Sequence, residues 1–181
     1  MLTQHEIEQA RVQSIDFFTR AGIFLTEKER QEIEVADFGL GDLYKIGLEV
    51  LVYINTEKVC AKELVMFPGQ TCPEHIHPTI GKISGKEETF RCRWGKVYLY
   101  VDGAAQGGKY VEGLGEHANY LVCAKEIVLL PGEQYTIMPD TNHWFRAGEE
   151  GAVVSEFSTT STDELDRFTD PRINRFTVIS D

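Results

Sequence analysis

Gly69-Gln-Thr-Cys-Pro-Glu-His75-Ile-His77 carries two histidines at a spacing from which both architecture and chemistry can be argued. His75 and His77 are two residues apart, and residues i and i+2 of a β-strand point to the same face of the sheet. The stretch therefore predicts a strand that presents two imidazoles together. Glu88 and His143, from other strands, would complete a set of three histidines and one glutamate. Such a set fills four positions of an octahedral cation and leaves two for water or substrate.

Regularly placed glycines surround these four residues, at Gly69, Gly95 and Gly132, and Pro139 precedes His143. The arrangement resembles the cupin pattern, which implies a mainly antiparallel, all-β fold, the double-stranded β-helix jelly roll. The sequence departs from that pattern between His77 and Glu88, where the long gap predicts an inserted loop at 78–86. It also departs before His143, where the second motif is one residue short. The alternative is a pair of ordinary surface histidines at a β-bend, but three of only five histidines fall on the pattern.

The composition limits the classes of partner. A chain of 181 residues fits one domain with a sizeable core. The net charge of −11 argues against nucleic-acid and anionic-membrane partners, because both are bound largely through Lys and Arg. A neutral small molecule suits this charge better. No apolar run is long enough to span a bilayer, and the first residues lack the features of a signal peptide, so a cytoplasmic protein is expected.

The four cysteines are widely spaced and form no C-x-x-C pair, so zinc binding and redox chemistry are not indicated. In a reducing compartment they are expected to be small buried apolar residues. Cys72, close to His75, is a secondary candidate for a soft metal ligand. A site with three imidazoles and a carboxylate prefers harder ions, which argues against that role.

Two capping boxes predict short helices before the sheet. Thr3-x-x-Glu6 begins a helix of about 17 residues that Gly22 ends, and Thr26-x-x-Glu29 begins one that covers Glu27 to about Ala36. A third box, Ser161-x-x-Glu164, predicts a C-terminal helix that ends before Pro171. The expected organisation of the single domain is a helical segment at 1–42, a β-barrel at 43–160, and a helix and tail at 161–181.

The middle of the chain predicts many short strands. Runs rich in Val, Ile, Leu and Tyr alternate with Gly, Pro, Asn and Asp turns, which is typical of an antiparallel sandwich or barrel. The glycine-rich segment 102–117 interrupts them and predicts an exposed hairpin arm or a loop near the barrel mouth. The predicted strands lie at 43–54, 59–67, 87–93, 96–101, 120–129, 134–138, 143–147 and 152–158.

Three polar residues near the predicted ligands are candidates for catalysis. Glu156 lies in an otherwise apolar strand, where it either faces a substrate in the barrel or is solvated outside. Glu74 faces away from His75 if the strand is regular, although Pro73 could turn it towards the mouth. Lys86 shares a face with Glu88, which is unfavourable inside a barrel unless an anion pairs with it. It otherwise belongs to the inserted loop.

Four further residues are candidates for contacts with a substrate. Phe90 shares a face with Glu88, and Trp144 follows His143, so either ring could form an aromatic wall of the cavity. Core packing would explain Trp144 and its neighbour Phe145 equally well. Asp170 and Arg175, in the tail, complete the candidate substrate-binding residues.

Three segments bring a more specific resemblance, at Gly69–Pro78, Gly85–Gly95 and Ser155–Ile173. They are similar to the D-lyxose ketol-isomerases, cupin sugar isomerases that interconvert D-lyxose with D-xylulose and often D-mannose with D-fructose. The resemblance implies a homodimer and one divalent ion of the manganese type. Cobalt, iron, zinc or magnesium ions are other options for the same donors.

The predicted site agrees with that chemistry. An aldose presents C1=O and C2–OH on neighbouring carbons, and a cation could polarise the carbonyl and stabilise an enediolate. A carboxylate would carry the proton between C2 and C1, with Glu156 the first candidate, Glu74 the reserve, and Lys86 an electrostatic aid. Two alternatives stay open, a cupin dioxygenase that uses Fe(II) and a non-catalytic sugar-binding cupin.

Overall fold

The computed structural model describes residues 1–105 and 107–180. The two helices are α1 (Gln4–Arg20) and α2 (Glu27–Glu32). The strands are β1 (Leu2–Thr3), β2 (Glu34–Ala36), β3 (Leu48–Asn55), β4 (Cys60–Met66), β5 (Thr71–Ile76), β6 (Glu88–Val101), β7 (Lys125–Leu129), β8 (Gln134–Ile137), β9 (His143–Ser158), β10 (Arg167–Phe168) and β11 (Ile179–Ser180).

The strands form a curled, almost entirely antiparallel sheet. Its path runs β10-β5-β9-β4-β3-β2, and β6 pairs with β7, β8 and β9, while β1 and β11 form a separate parallel pair. This architecture confirms the predicted all-β jelly roll. Among the described residues, no helix is long and apolar enough to cross a membrane.

The two N-terminal helices begin where their capping boxes predict. The hydroxyl of Thr3 accepts from the Glu6 amide at 3.2 Å, and the Glu6 carboxylate accepts from the Thr3 amide at 2.7 Å. Helix α1 spans 17 residues, as predicted. Helix α2 is shorter than predicted, because Glu34–Ala36 pair with β3 as strand β2. Burial of Val35 and Ala36 in the sheet overrides the helical pattern there.

Strands β6 and β9 are each longer than the sequence predicts. The predicted strands 87–93 and 96–101 join into β6, and 143–147 and 152–158 join into β9. The two strands pair with each other from Glu88–Ser158 to Val101–His143, with irregularities near Gly95. A Cβ at Gly95 would lie 2.1 Å from the carbonyl oxygen of Gly151, so this glycine allows two backbones to approach closely. Gly95 therefore marks a bend inside a strand rather than a turn.

The predicted C-terminal helix is wrong. Its capping box does not form, because the Ser161 hydroxyl donates to Asp163 at 2.5 Å and accepts from Lys62 Nζ at 2.8 Å. Only a 3₁₀ turn at Asp163–Leu165 follows, and the next residues pair with β5 as strand β10. Contacts far away in the sequence thus override the local signal.

The inserted loop and the glycine-rich segment both lie outside the regular strands. Residues 78–86 form a loop with one isolated bridge between Ile80 and Ile83, as expected. The segment 102–117 is largely exposed, with Gln106 outside the described residues, and its end forms a 3₁₀ turn, Gly115–Tyr120, so the strand predicted at 120–129 begins only at Lys125. Arg146 anchors this segment, since its guanidinium donates to the carbonyl oxygens of Tyr110 and Glu112, each at 2.9 Å.

Two apolar clusters flank the sheet. The larger one fills the interior of the barrel and includes Phe90, Phe145 and Trp144. The second lies between α1 and the outer face of the sheet, where Phe17 packs with Phe67. The candidate site opens from the first cluster.

Candidate metal centre

Three strands bring four candidate ligands to one end of the barrel. Strand β5 carries His75 and leads into His77, and the pairing of β5 with β9 places His75 directly opposite His143. Glu88 is the first residue of β6. One ligand atom from each of the four side chains lies within 4.8 Å of the others, and all four residues are buried.

Each imidazole is held through its Nδ1 atom. His75 Nδ1 lies 2.8 Å from the carbonyl oxygen of Pro73, and His143 Nδ1 lies 3.0 Å from that of Thr141. His77 Nδ1 instead lies 2.5 Å from a carboxylate oxygen of Asp166. Because these partners are acceptors, Nδ1 carries the proton in all three rings, and Nε2 is left as the atom that can bind a cation.

Three of the converging atoms have no hydrogen-bond partner among the described residues, namely Nε2 of His77, Nε2 of His143 and Oε1 of Glu88. The Glu88 oxygen lies 3.3 Å from the first nitrogen and 2.9 Å from the second. A buried polar atom without a partner is costly, and three that face one another fit a shared divalent cation. The donor set, nitrogen with a carboxylate oxygen, suits such an ion.

The charges of the cluster also suit a cation. Burial, together with His143 and His77, lowers the pKa of His75 well below its usual range. Burial alone would raise the pKa of Glu88, but Lys86 and His77 outweigh it and hold this pKa well below its usual range. Burial lowers the pKa of His77, but Glu88 and Asp166 outweigh it and raise this pKa to about 9. A cation at this site would therefore compete with a proton for His77.

A pocket of about 470 Å³, counting its open mouth, adjoins the cluster. Glu156 lines this pocket and is only 4% exposed, so it faces inward. Lys86 also lines it, with Nζ 2.6 Å from Glu88 Oε2 and 3.0 Å from Glu156 Oε1. The lysine is therefore paired with two carboxylates. This pairing compensates the cost of burying its positive charge inside the barrel.

The structure does not bring Glu74, the reserve candidate for the base, to the pocket. Its Oε2 atom accepts from the backbone amides of Val122 and Cys123, each at 2.7 Å, and its Oε1 atom accepts from the hydroxyl of Thr169 at 2.8 Å. Strand alternation turns this side chain away from the face of His75. Glu74 therefore holds neighbouring segments together and is withdrawn as a proton carrier.

Two of the four candidate substrate contacts line the pocket, and two do not. Phe90 and Arg175 line it. Trp144 points away, stacks on Tyr100 with ring centroids 3.9 Å apart and donates to the carbonyl oxygen of Cys123 at 3.0 Å. Its neighbour Phe145 lines the pocket instead, because it shares the face of His143.

Asp170 lies outside the pocket and accepts from the guanidinium of Arg172, with the shortest contact at 2.7 Å. This ion pair gives the buried Asp170 carboxylate a structural partner in its own segment. Asp170 is therefore withdrawn as a substrate contact.

The secondary ligand candidate Cys72 lines the pocket but lies outside the four-residue cluster. Burial raises the pKa of its thiol well above the usual range, which disfavours the thiolate that a metal would need.

Sequence reasoning missed the polar residues that close the far side of the pocket. These are Lys62 of β4, Asp163 and Asp166. The Lys62 ammonium lies 3.2 Å from Asp163, and Arg175 lies 2.6 Å from the same carboxylate. Alternation with Leu64 was a signal for Lys62. For Asp166 no local signal existed, because its partner His77 lies 89 residues away in the sequence.

Several known proteins resemble this chain in sequence or in fold. The sequence model of the D-lyxose isomerase family matches residues 26–181. A D-lyxose ketol-isomerase of Thermofilum sp. (strain ex4484_79) is 56% identical over 99% of both chains. A D-lyxose/D-mannose isomerase of Thermosediminibacter oceani is 54% identical over the full length of both chains. The fold resembles that of Cellulomonas parahominis L-ribose isomerase with L-ribose, at a TM-score of 0.78 and 16% identity, covering 99% and 98% of the two chains.

Proposed function

The chain belongs to the D-lyxose isomerase family, and from this premise we propose that it is a metal-dependent aldose–ketose isomerase. The proposed reaction interconverts D-lyxose and D-xylulose, and D-mannose and D-fructose as a second pair. The names of the two relatives support D-lyxose and D-mannose as the aldoses. The observation that carries the proposal is the convergence of three imidazoles and Glu88 beside a second, inward-facing carboxylate, Glu156.

Four residues would hold the metal: His75, His77, Glu88 and His143. When bound, a divalent ion would polarise the C1 carbonyl of the aldose and stabilise the negative charge that develops on oxygen. No redox change is needed, so the donors need only bind and orient. Manganese is the proposed native ion because the resemblance to the D-lyxose ketol-isomerases implies it, and the same donors are compatible with cobalt, iron, zinc and magnesium ions.

Glu156 is the proposed proton carrier. Its carboxylate takes the proton from C2 of the aldose and returns it to C1, while the hydroxyl proton of O2 passes to O1, so that the atoms balance. A group with this task must be within hydrogen-bond reach of the substrate and free of the metal. Glu156 lines the pocket but is not one of the four converging residues.

Lys86 has an electrostatic role in this scheme. Burial lowers its pKa, but Glu156 and Glu88 outweigh burial and raise this pKa well above the usual range. Lys86 therefore stays protonated at neutral pH and cannot act as a base. Its positive charge holds Glu156 and Glu88 in place and favours negative charge on the substrate oxygens.

Phe90, Phe145 and Arg175 are proposed to contact the rest of the sugar. The two rings meet edge to face, with centroids 4.9 Å apart, and offer an apolar wall for the carbon chain. Arg175 is tied to Glu34 and Asp163 at 2.5 and 2.6 Å, which leaves it oriented at the far side of the pocket. Such fixed polar groups can position sugar hydroxyls.

We further propose that residues 1–181 act as one domain, as a homodimer, in the cytoplasm. The single domain is supported by the apolar cluster between α1 and the sheet, and by the pairing of the N-terminal β1 with the C-terminal β11. The dimer is suggested by the resemblance to the isomerase family. Partners other than the sugar, such as nucleic acid or an anionic membrane, do not suit a net charge of −11.

The substitution Glu156→Gln tests the proposed base. It keeps the shape of the side chain but removes its basicity, so turnover of D-lyxose should fall by at least about a hundredfold. Manganese content should not change, because the four ligands remain. Exchange of the C2 proton with solvent should fall in parallel with turnover.

The matched control is Glu87→Gln, the same change at an exposed residue beside Glu88. It should leave turnover and metal content unaltered. Near-normal turnover in Glu156→Gln would remove Glu156 from the mechanism.

A further inference from the structure

The three candidate ligand imidazoles are not held in the same way. His75 and His143 face backbone carbonyl oxygens, whereas His77 faces the carboxylate of Asp166. The Asp166 side chain is only 9% exposed, and its Oδ1 atom lies 2.5 Å from His77 Nδ1. One ligand in the set therefore depends on a charged partner that another part of the chain supplies.

That partner belongs to a segment of the C-terminal region that lies along the metal-bearing strand. We call residues 166–169 the C-terminal strap. Within it, Arg167 and Phe168 pair with Ile76 and His75 as strand β10. The Phe168 ring also packs on the His75 ring, with centroids 5.5 Å apart.

The next residue of the strap continues this contact. The Thr169 amide donates to the carbonyl oxygen of Glu74 at 3.0 Å, and its hydroxyl donates to the Glu74 carboxylate at 2.8 Å. All four residues of the strap therefore contact residues 74–77. The position of the strap and the position of two candidate ligands cannot vary independently.

A carboxylate on Nδ1–H has two consequences for an imidazole ligand. It fixes the ring so that Nε2 points to the cation, and it makes Nε2 a stronger donor. A backbone carbonyl also fixes the ring, but it carries no full charge and therefore strengthens Nε2 as a donor less. His77 is thus the ligand most dependent on its support, and that support arrives only when the strap is in place.

We propose that Asp166 is a positioning residue that holds His77 for the metal, and that the bound metal in turn holds the strap against β5. This inference rests on the proposed function in one respect, namely that His77 is a metal ligand. The coupling is reciprocal. A metal ion that binds more tightly when the strap is docked must stabilise the docked strap by the same free energy.

Manganese titration of three variants tests the proposal, with free Mn²⁺ followed by electron paramagnetic resonance. Asp166→Ala should weaken binding by about 10- to 100-fold, the usual effect of losing such a support. Asp166→Asn retains an acceptor without the charge, so it should weaken binding by less. Glu164→Ala changes an exposed carboxylate of the preceding turn and should bind as the wild type does.

Hydrogen exchange supplies a second measurement that does not depend on activity. In the wild type, manganese should slow exchange of the Thr169 amide, which is bonded to Glu74. In Asp166→Ala this slowing should be lost at metal concentrations that saturate the wild type. Thermal unfolding of the metal-free variants checks that the fold is intact.

Equal manganese affinity in folded Asp166→Ala and the wild type would overturn the inference and leave the proposed function standing. If Asp166→Ala does not fold, Asp166→Asn decides: weaker binding supports the inference and unchanged binding overturns it. A wild-type protein that binds no manganese, cobalt, iron, zinc or magnesium ion would overturn both the inference and the proposed function.

Discussion

At the scale of single residues, the chain concentrates buried charge where the proposed chemistry needs it. Lys86 lies between Glu88 and Glu156, within 2.6 and 3.0 Å of their oxygens. Each of these charges would be costly alone, but together they compensate one another. Glu63, on the opposite face of β4 from Lys62, is a further buried carboxylate, and a hydroxyl rather than an ammonium donates to it.

Glu63 makes stability depend on pH. Burial raises the pKa of Glu63 to about 7, partly offset by the Ser155 hydroxyl, which donates to both carboxylate oxygens at 2.9 Å. An unfolded glutamate has a pKa of about 4.3. Between these two values the folded state keeps a proton that the unfolded state has lost, so this group's contribution to stability falls as pH rises from about 4.3 to about 7.

Glu63→Gln should remove this dependence. The free energy of unfolding of the variant, relative to the wild type, should be higher at pH 8 than at pH 5 by on the order of 1 to 2 kcal/mol. Urea unfolding at the two pH values measures the difference, and subtraction of the wild type removes the contributions of other groups. The exposed Glu87→Gln should show no such change, and an equal offset at both pH values for Glu63→Gln would contradict the assignment.

At this scale, alternation along a strand predicted much of the site but not its distant partners. The spacing of His75 and His77 brought out the metal cluster, and the same rule applied from His143 selects Phe145 over Trp144. Trp144, predicted to contact the substrate, lies on the opposite face and stacks on Tyr100 instead. Asp166 could not be found in this way, because the contact with His77 depends on the path of the whole C-terminal region.

At the scale of elements, α1 packs on the sheet through a close contact at Gly151. This glycine has a φ of +89°, and a Cβ there would lie 2.4 Å from Phe17 Cε1 and 2.7 Å from the Met66 carbonyl oxygen. Both the backbone conformation and the space therefore require glycine.

Gly151→Ala should lower the free energy of unfolding by more than the strain of a positive φ alone would. Gly132 provides the matched control, since it has a φ of +92° and no heavy atom within 4 Å of an added Cβ. Gly132→Ala should reduce the free energy of unfolding by about 1 to 2 kcal/mol, from backbone strain. Gly151→Ala should lose a further 1 to 3 kcal/mol or so, from overpacking against α1.

Urea unfolding of both variants measures these losses. Equal destabilisation of the two would mean that α1 does not pack against Gly151 as described.

Elements with complete local signals were predicted well, and those that depend on distant pairing were not. The capping boxes at Thr3 and Thr26 form, because every group they need lies within one turn. The same motif at Ser161 fails, because Lys62 and Asp163 engage its hydroxyl. Turn residues correctly separate most of the predicted strands, but at the predicted gap between 87–93 and 96–101 strand β6 only bends.

At the scale of the molecule, two apolar clusters stabilise the jelly roll, and the polar pocket lies at one end of it. One apolar cluster fills the barrel beneath the pocket, and the other fastens α1 to the outer face of the sheet. The C-terminal region returns across the pocket and ends as β11 beside β1. The fold class followed from the glycine and histidine pattern, whereas this closing path did not, because it is set by pairings between the two ends of the chain.

The central claim is that the four-residue cluster makes this chain an isomerase. The most direct measurement is the conversion of D-lyxose to D-xylulose by manganese-loaded protein without oxygen, with and without a chelator, compared with a His75→Ala/His77→Ala variant. We predict that ketose forms at the same rate with and without oxygen, stops with chelator, resumes with manganese, and is absent in the variant together with the bound metal. Failure to form ketose from D-lyxose or D-mannose, turnover that requires oxygen, or unchanged metal content in the variant would contradict the account.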